Sequence, residues 1–268
     1  LAGRQLGAEV TLIERAGVGG NAVLTDVVPS KALIATAEAA GRVEQAAKLG
    51  VKFSFGGQHI KPKVEIDLGM VNQRLLELAE NQSSDMLESL LREGVRVLHG
   101  SGRLDGNHHV IYEPGDGGKA ERMEAKTIIV AVGASPRELP DAKPDGDRIL
   151  TWKQLYNLNE LPEHMIVVGS GVTGAEFASA YLHLGSEVTL ISSRDTVLPG
   201  NDNDAAEVIE RVFRGKGMNI LNKSRADKVE NTGTGVRVTL SDGSVVEGSH
   251  CLMAVGAIPN TAGLGLED

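Results

Sequence analysis

Apolar and polar positions repeat along this chain. Residues 6–15 read LGAEVTLIER and residues 184–193 read LGSEVTLISS, with seven of ten positions identical. Each segment predicts the end of a helix, a glycine that stops it, and a strand of β-branched and apolar residues. Between the two copies, apolar residues recur at helical spacing from about Asp67 to Arg92, which predicts a long amphipathic helix.

A second pair of segments supports a duplicated domain. AVGASP at 131–136 follows the apolar run TIIV, and AVGAIP at 254–259 follows the apolar run HCLM. Two copies of one kind of domain explain both pairs. We therefore expect an α/β fold of two Rossmann-like three-layer domains, joined by the Pro-, Asp- and Gly-rich segment LPDAKPDGDRI. The expected bounds are 1–148 and 149–260, with 261–268 beginning a return to the first domain.

The second copy contains a pattern typical of nucleotide binding. The strand MIVVG runs into a G-x-G-x-x-G loop, then the helical run AEFASAYLHLG and the repeated strand. That order is the dinucleotide-binding βαβ unit. Its glycines let the backbone approach a pyrophosphate at the helix N-terminus, where N–H groups favour anions. The predicted loop residues are Gly169, Ser170, Gly171, Val172, Thr173 and Gly174.

The residues that end the repeated strands suggest which nucleotide each copy binds. Glu14 ends the strand of the first copy, and an acid there suits the two ribose hydroxyls of a bound adenosine. The second copy has Ser192, Ser193 and Arg194 at that place. Hydroxyls and a guanidinium would bind a 2′-phosphate, which favours NADPH over NADH. The alternatives are a solvated Glu14 and an ordinary polar turn that accepts either cofactor.

The two copies differ at their beginnings. Gly169 lies 15 residues before Leu184, and the same offset counted back from Leu6 falls before residue 1. We therefore expect the first domain to be truncated at its N-terminus, without its glycine loop and first strand.

Composition narrows the possible partners. Lys and Arg number 27 and Asp and Glu 36, and the resulting net charge of −9 argues against nucleic acid. No apolar run reaches the roughly 18 residues of a membrane span, and without a secretory signal the cytoplasm is the expected location. Cys251, as the one cysteine, forms neither an internal disulfide nor a dithiol pair within this chain. We expect no metal site.

Taken together, these motifs resemble the pyridine-nucleotide flavin disulfide oxidoreductases, which include dihydrolipoamide dehydrogenase and glutathione reductase. The resemblance covers nearly the whole chain. It implies that the first domain binds FAD, that the second binds NAD(P)H, and that the complete protein is a homodimer. The segments that carry it are Glu14, Gly19-Gly20, Pro29-Ser30-Lys31, AVGASP, the glycine loop with Ala175-Glu176-Phe177, and AVGAIPN.

The sequence departs from this family at its redox motif, GG-T-C-L-N-V-G-C-x-P-S-K. Residues 19–31 read GGNAVLTDVVPSK, so Ala22 and Val27 replace both cysteines. The chain is therefore most similar to the NAD(P)H quinone dehydrogenases that lack the disulfide. We expect a hydride to pass from NAD(P)H to FAD, and electrons then to a quinone or similar small acceptor. The alternatives are a dihydrolipoamide dehydrogenase-type disulfide reductase and a non-catalytic nucleotide-binding relative.

The resemblance also implies roles for single residues. Lys31 matches the family lysine beside flavin N5, and Glu176 matches the glutamate that pairs with it across the two domains, so both are assigned as catalytic. Val172 stands where the family often has an aromatic residue that gates the nicotinamide. The remaining implied contacts are Gly20, Gly102, Val132, Gly133 and Ala134 for FAD, and Ala226 and Gly256 for NAD(P)H.

Overall fold

A computed structural model describes residues 1–266 and confirms the predicted α/β class. In chain order the strands are β1 (Thr11–Glu14), β2 (Phe53–Phe55), β3 (Gln58–Ile60), β4 (Arg96–Leu104), β5 (His109–Pro114), β6 (Glu121–Glu124), β7 (Ala134–Pro136), β8 (Ile149–Leu150), β9 (His164–Val168), β10 (Glu187–Ile191), β11 (Asn219–Leu221), β12 (Ala226–Asn231), β13 (Val236–Leu240), β14 (Val245–Gly248), β15 (His250–Met253) and β16 (Ala257–Pro259).

The helices connect these strands. They are α1 (Ala2–Gln5), α2 (Gly20–Leu24), α3 (Val27–Gln45), α4 (Leu68–Arg92), α5 (Val172–Leu184) and α6 (Asn203–Gly215), with short 3₁₀ helices at Ala46–Leu49 and Leu155–Asn157. The amphipathic helix predicted from about Asp67 to Arg92 is confirmed as α4. Over residues 1–266, no helix is both long enough and apolar enough to cross a lipid bilayer.

The described chain packs as two compact units. The first unit comprises Leu1–Val28, Glu77–Ser135 and the described part of Ile258–Asp268, and the second comprises Pro29–Leu76 and Pro136–Ala257. Residues 29–76, which fall within the predicted first domain, thus pack with the second unit. The boundary of the nucleotide-binding domains at residue 148 stays a prediction.

The second unit contains a parallel sheet in the order β11-β10-β9-β15-β8. Its central strands are continuous apolar runs because a parallel sheet is covered on both faces. Met165, Ile166 and Val167 of β9 are fully buried, as is Leu190 of β10. Strands β12, β13 and β14 of this unit pair antiparallel in a separate small sheet. The order β9-α5-β10 is the βαβ unit that the sequence predicts.

The first unit contains a mixed sheet in the order β1-β4-β5-β6. Strand β1 runs parallel to β4, with Glu14 opposite His99. Strands β4, β5 and β6 then pair antiparallel as a meander. Glu14 therefore ends its strand, as predicted, and the strand is one of a parallel pair.

The two apolar runs that the repeat aligns have different structures. His250–Met253 forms β15, between β9 and β8, and Cys251 and Leu252 are fully buried there. Residues 127–130 form no strand, and Ile129 is 86 % exposed. The two aligned runs therefore do not share a secondary structure in the described residues.

Candidate functional site

The glycine loop between β9 and α5 contains three glycines. Two of them have no room for a side chain (closed positions), and one has free space around it (an open position). Gly169 has a φ of +111°, and a Cβ there would collide with the carbonyl oxygen of Ala254. A Cβ on Gly174 would collide with the carbonyl oxygen of Gly169. Gly171 has a φ of −68°, and the space around its missing Cβ is open. The closed glycines bring helix and strand together, and the open one exposes backbone at the start of α5, which fits a pyrophosphate.

Other predicted residues of the second unit follow neighbouring parallel strands. Ser192–Arg194 follow β10, Ala226 begins β12 after β11, and Gly256 follows β15 with a φ of +99°. The carboxyl ends of parallel strands share one edge of a sheet, and ligands of such sheets bind at that edge. The structure therefore gathers these positions along the same edge as the glycine loop.

Ser192, a predicted nucleotide contact, makes internal hydrogen bonds in this structure. The side chain is fully buried, and its Oγ lies 2.7 Å from Ser170 Oγ. Ser192 Oγ also accepts a hydrogen bond from the Arg194 backbone N–H at 3.1 Å. This hydroxyl therefore connects the glycine loop to the turn after β10, and contact between Ser192 and a nucleotide stays a prediction. Ser193 and Arg194 are exposed and are the polar residues that face outward from this turn.

Lys31 and Glu176 form an ion pair within the second unit. Lys31 lies on α3, just after the buried residues Pro29 and Ser30, and Glu176 lies in the first turns of α5. Lys31 Nζ donates to both Glu176 oxygens at 2.7 Å. The two side chains are 54 % and 34 % exposed, and exposed pairs contribute only about 0–1 kcal/mol to stability. The pair fixes the position of a charge more than it stabilises the fold.

A cavity of about 480 Å³ lies beside Glu176. Its volume is within the usual range of small-molecule sites, and its walls are mostly apolar. Val172, which is 58 % exposed, forms part of one wall. The remaining lining residues are Ile34, Ala175, Ser179, Leu198, Asn201, Ala205, Ala206, Ile209 and Phe213.

The first unit places Glu14 and the predicted flavin glycines as follows. Glu14 Oε1 accepts hydrogen bonds from the backbone N–H groups of Ala16 at 2.8 Å and Gly17 at 3.3 Å, which orients the carboxylate at the strand end. Gly20 begins α2 with a φ of +54°. Gly102 lies in β4, where a Cβ would press on the side chains of Ile13 and Val110. An oriented carboxylate at a strand end fits a ribose.

Asn21 and Asn260, which have no predicted role of their own, hold the segment Val132–Ala134 by hydrogen bonds. Asn21 Nδ2 donates to the Ala134 carbonyl at 2.6 Å. Asn260 donates to the Gly133 carbonyl from its backbone N–H at 3.0 Å and to the Val132 carbonyl from Nδ2 at 3.1 Å. Gly133 has a φ of +67°, which glycine adopts without strain, and the hydrogen bonds from the two asparagines fix the carbonyl groups of this turn. Asn260 directly follows the repeated AVGAIP, which could have identified it.

Comparisons with known proteins identify the family of the chain. The family model for pyridine nucleotide-disulphide oxidoreductases matches residues 1–268. The chain is 47 % identical over 265 residues to an NAD(P)H dehydrogenase (quinone) of Mycobacterium tuberculosis, covering 97 % of this chain and 52 % of that protein. It is 31 % identical to a dihydrolipoyl dehydrogenase of Zymomonas mobilis, covering 98 % of this chain and 55 % of the relative.

A solved structure is also similar. The crystal structure of LpdA from Mycobacterium tuberculosis aligns with a TM-score of 0.89 and 45 % identity, covering 99 % of this chain and 56 % of that one. The chain thus spans about half the length of the relatives that it matches.

The glycine loop gives a matched pair of substitutions. Gly174→Ala should lower the free energy of unfolding by about 1–3 kcal/mol, because the new methyl overlaps the Gly169 carbonyl. Gly171→Ala should change it by less than about 0.5 kcal/mol, because its φ suits alanine and its surroundings are open. Urea denaturation measures both, and equal losses of stability would contradict the assignment of one closed and one open glycine.

Proposed function

The chain belongs to the pyridine nucleotide-disulphide oxidoreductase family, and we propose that it is the nucleotide-binding part of a flavoenzyme that reduces a quinone or similar small acceptor. Its cofactors are FAD in a domain over residues 1–148 and NAD(P)H in a domain over 149–260. The homodimer that the resemblance implies belongs to the same proposal. The similarity to an NAD(P)H dehydrogenase (quinone) supports this choice of acceptor.

One observation carries the proposal. The Lys31–Glu176 pair and the glycine loop are both formed, yet Ala22 and Val27 stand at the two positions of the redox motif where the family has cysteines. A disulfide reductase needs such a dithiol to exchange electrons with its substrate. Cys251 does not replace it, because full burial raises the pKa of the Cys251 thiol and removes it from solvent. Residues 1–268 thus supply no dithiol relay, which favours direct transfer of electrons from the flavin to the acceptor.

Different residues of the chain would bind the two nucleotides and supply the charge near the flavin. The backbone at Gly171 and the start of α5 bind the NAD(P)H pyrophosphate, and Glu14 binds the FAD ribose. FAD, when bound, supplies the hydride acceptor and the donor of electrons to the quinone. Lys31, held by both oxygens of Glu176, supplies a fixed positive charge at the place that the family keeps beside flavin N5.

The preference for NADPH rests on Arg194. Its guanidinium is exposed next to the carboxyl end of β10 and suits bidentate binding of a 2′-phosphate. Ser193 is exposed beside it, whereas the buried Ser192 stabilises the turn through hydrogen bonds to Ser170 and to the Arg194 backbone. No carboxylate ends this strand to repel the phosphate, in contrast to Glu14 at the end of β1.

A disulfide reductase is the second candidate, because a dihydrolipoyl dehydrogenase is 31 % identical to this chain. It requires a thiol from outside residues 1–268 to replace the missing pair. A non-catalytic relative is the third candidate, and the complete Lys31–Glu176 pair speaks against it.

Removal of the Lys31 charge should slow flavin reduction and leave the melting temperature of the protein almost unchanged. In the full-length flavoprotein, Lys31→Met should slow flavin reduction by NADPH about tenfold or more, the effect of losing roughly 1.4 kcal/mol of charge stabilisation. Its melting temperature should hardly change, because the pair is exposed. Lys228→Met is the control, since Lys228 and Glu230 form an ion pair of similar exposure on β12. Equal stopped-flow rates in the two variants would count against a role for Lys31.

The acceptor is tested with the complete protein and FAD. NADPH oxidation should be rapid with a soluble quinone and absent with lipoamide, because Ala22 and Val27 cannot relay electrons to a disulfide. Turnover with lipoamide would favour the disulfide reductase, and a flavin that stays oxidised in excess NADPH would favour the non-catalytic relative.

A further inference from the structure

The turn between β10 and α6 is held in a strained conformation. Leu198 has a φ of +54°, a left-handed value that leucine rarely adopts without support. Its backbone N–H donates to the carbonyl of Ser170 in the glycine loop at 2.8 Å. This turn also carries Ser193 and Arg194, the outward-facing residues after β10. Arg194 therefore lies in the same connection as the strained Leu198.

Glu210 of α6 lies behind this turn and connects it to a second one. Its Oε2 accepts a long hydrogen bond from the Val197 backbone N–H at 3.4 Å. Its Oε1 accepts from Arg214 Nη2 at 2.8 Å and from Asn222 Nδ2 at 2.8 Å. The Glu210 side chain is only 14 % exposed. Burial alone would raise the pKa of Glu210, but the hydrogen bonds from Asn222, Arg214 and Val197 lower it below its usual value.

The second turn follows β11 and meets the first one directly. The backbone N–H of Lys223 donates to the Arg194 carbonyl at 2.9 Å, and that of Ser224 donates to the Ser192 carbonyl at 2.8 Å. Lys223 is also left-handed, with a φ of +55°. The two strained turns are thus joined by backbone hydrogen bonds. The Glu210 carboxylate accepts one further hydrogen bond from each turn, from Val197 and from Asn222.

We propose that Glu210 is a positioning residue for the nucleotide: it braces the turns after β10 and β11 so that Arg194 is held ready for the 2′-phosphate. This inference rests on the proposed binding of NAD(P)H by the second unit. Glu210 acts through the backbone of Val197 and the amide of Asn222 and touches no substrate. A role limited to the ion pair with Arg214, four residues along the same helix, would contribute only about 0.3–0.5 kcal/mol and would not involve either turn.

The first test concerns the turn itself and needs no ligand. In the full-length protein, Glu210→Ala should speed amide hydrogen exchange of residues 193–200 about tenfold, as expected when roughly 1.4 kcal/mol of local support is lost. Glu210→Gln should lie between the alanine variant and the wild type. Glu207→Ala, an exposed carboxylate removed from the same helix, should change nothing. Unchanged exchange in Glu210→Ala would overturn the proposal.

The second test concerns the nucleotide. Glu210→Ala should weaken binding of adenosine 2′,5′-bisphosphate and raise the KM for NADPH about tenfold, while kcat stays within about twofold, because positioning is lost and the reacting groups are intact. In an Arg194→Ala background the same change should add less than about twofold, since both act on one contact. A fall in melting temperature with unchanged affinity would show a purely structural Glu210 and contradict the proposal. Failure of the wild type to bind the bisphosphate would instead refute the NADPH preference, and the exchange measurement still decides the role of Glu210.

Discussion

The close approach of α5 to the end of β9 is the constraint on which the second unit depends. It is possible only because Gly169 and Gly174 have no side chains, since a methyl on either would meet a backbone carbonyl oxygen. The approach brings Gly171 to the surface with open space around it and points the start of α5 along the carboxyl edge of the sheet. Glu176 lies one turn after the start of α5, and both of its carboxylate oxygens accept hydrogen bonds from Lys31.

The same edge explains how the turns after β10 and β11 are arranged. Both contain a left-handed residue that is not glycine, and strain of this kind persists only where surrounding bonds determine it. Ser192 supplies some of those bonds from inside the protein, and Glu210 supplies others from α6. The exposed Arg194 thus lies on a turn that buried polar groups support, and the proposed phosphate contact would need such support.

Sequence patterns predicted the parts of this molecule that local periodicity controls. The βαβ unit and helix α4 follow from glycine spacing and from apolar residues at helical intervals, and both are present. The burial of Ser192 could not be predicted, because a serine at a strand end suits a ligand and an internal hydrogen bond equally well. The different structures of the two aligned apolar runs, at 127–130 and 250–253, depend on which strands lie beside them, and residue types alone do not determine that. The packing of residues 29–76 with the second unit likewise depends on contacts between segments distant in the chain.

We propose that flavin is the sole redox centre of the complete protein, since Ala22 and Val27 stand at the two positions where the disulfide reductases of the family have cysteines. An anaerobic reductive titration of the complete flavoprotein tests it most directly. Flavin and a disulfide each take up one electron pair, so a protein with both needs about twice the reductant of a protein with flavin alone. We expect complete bleaching of the flavin at about one equivalent of dithionite per FAD, the uptake of a single two-electron centre. Bleaching only at about two equivalents would reveal a second two-electron centre and contradict the claim.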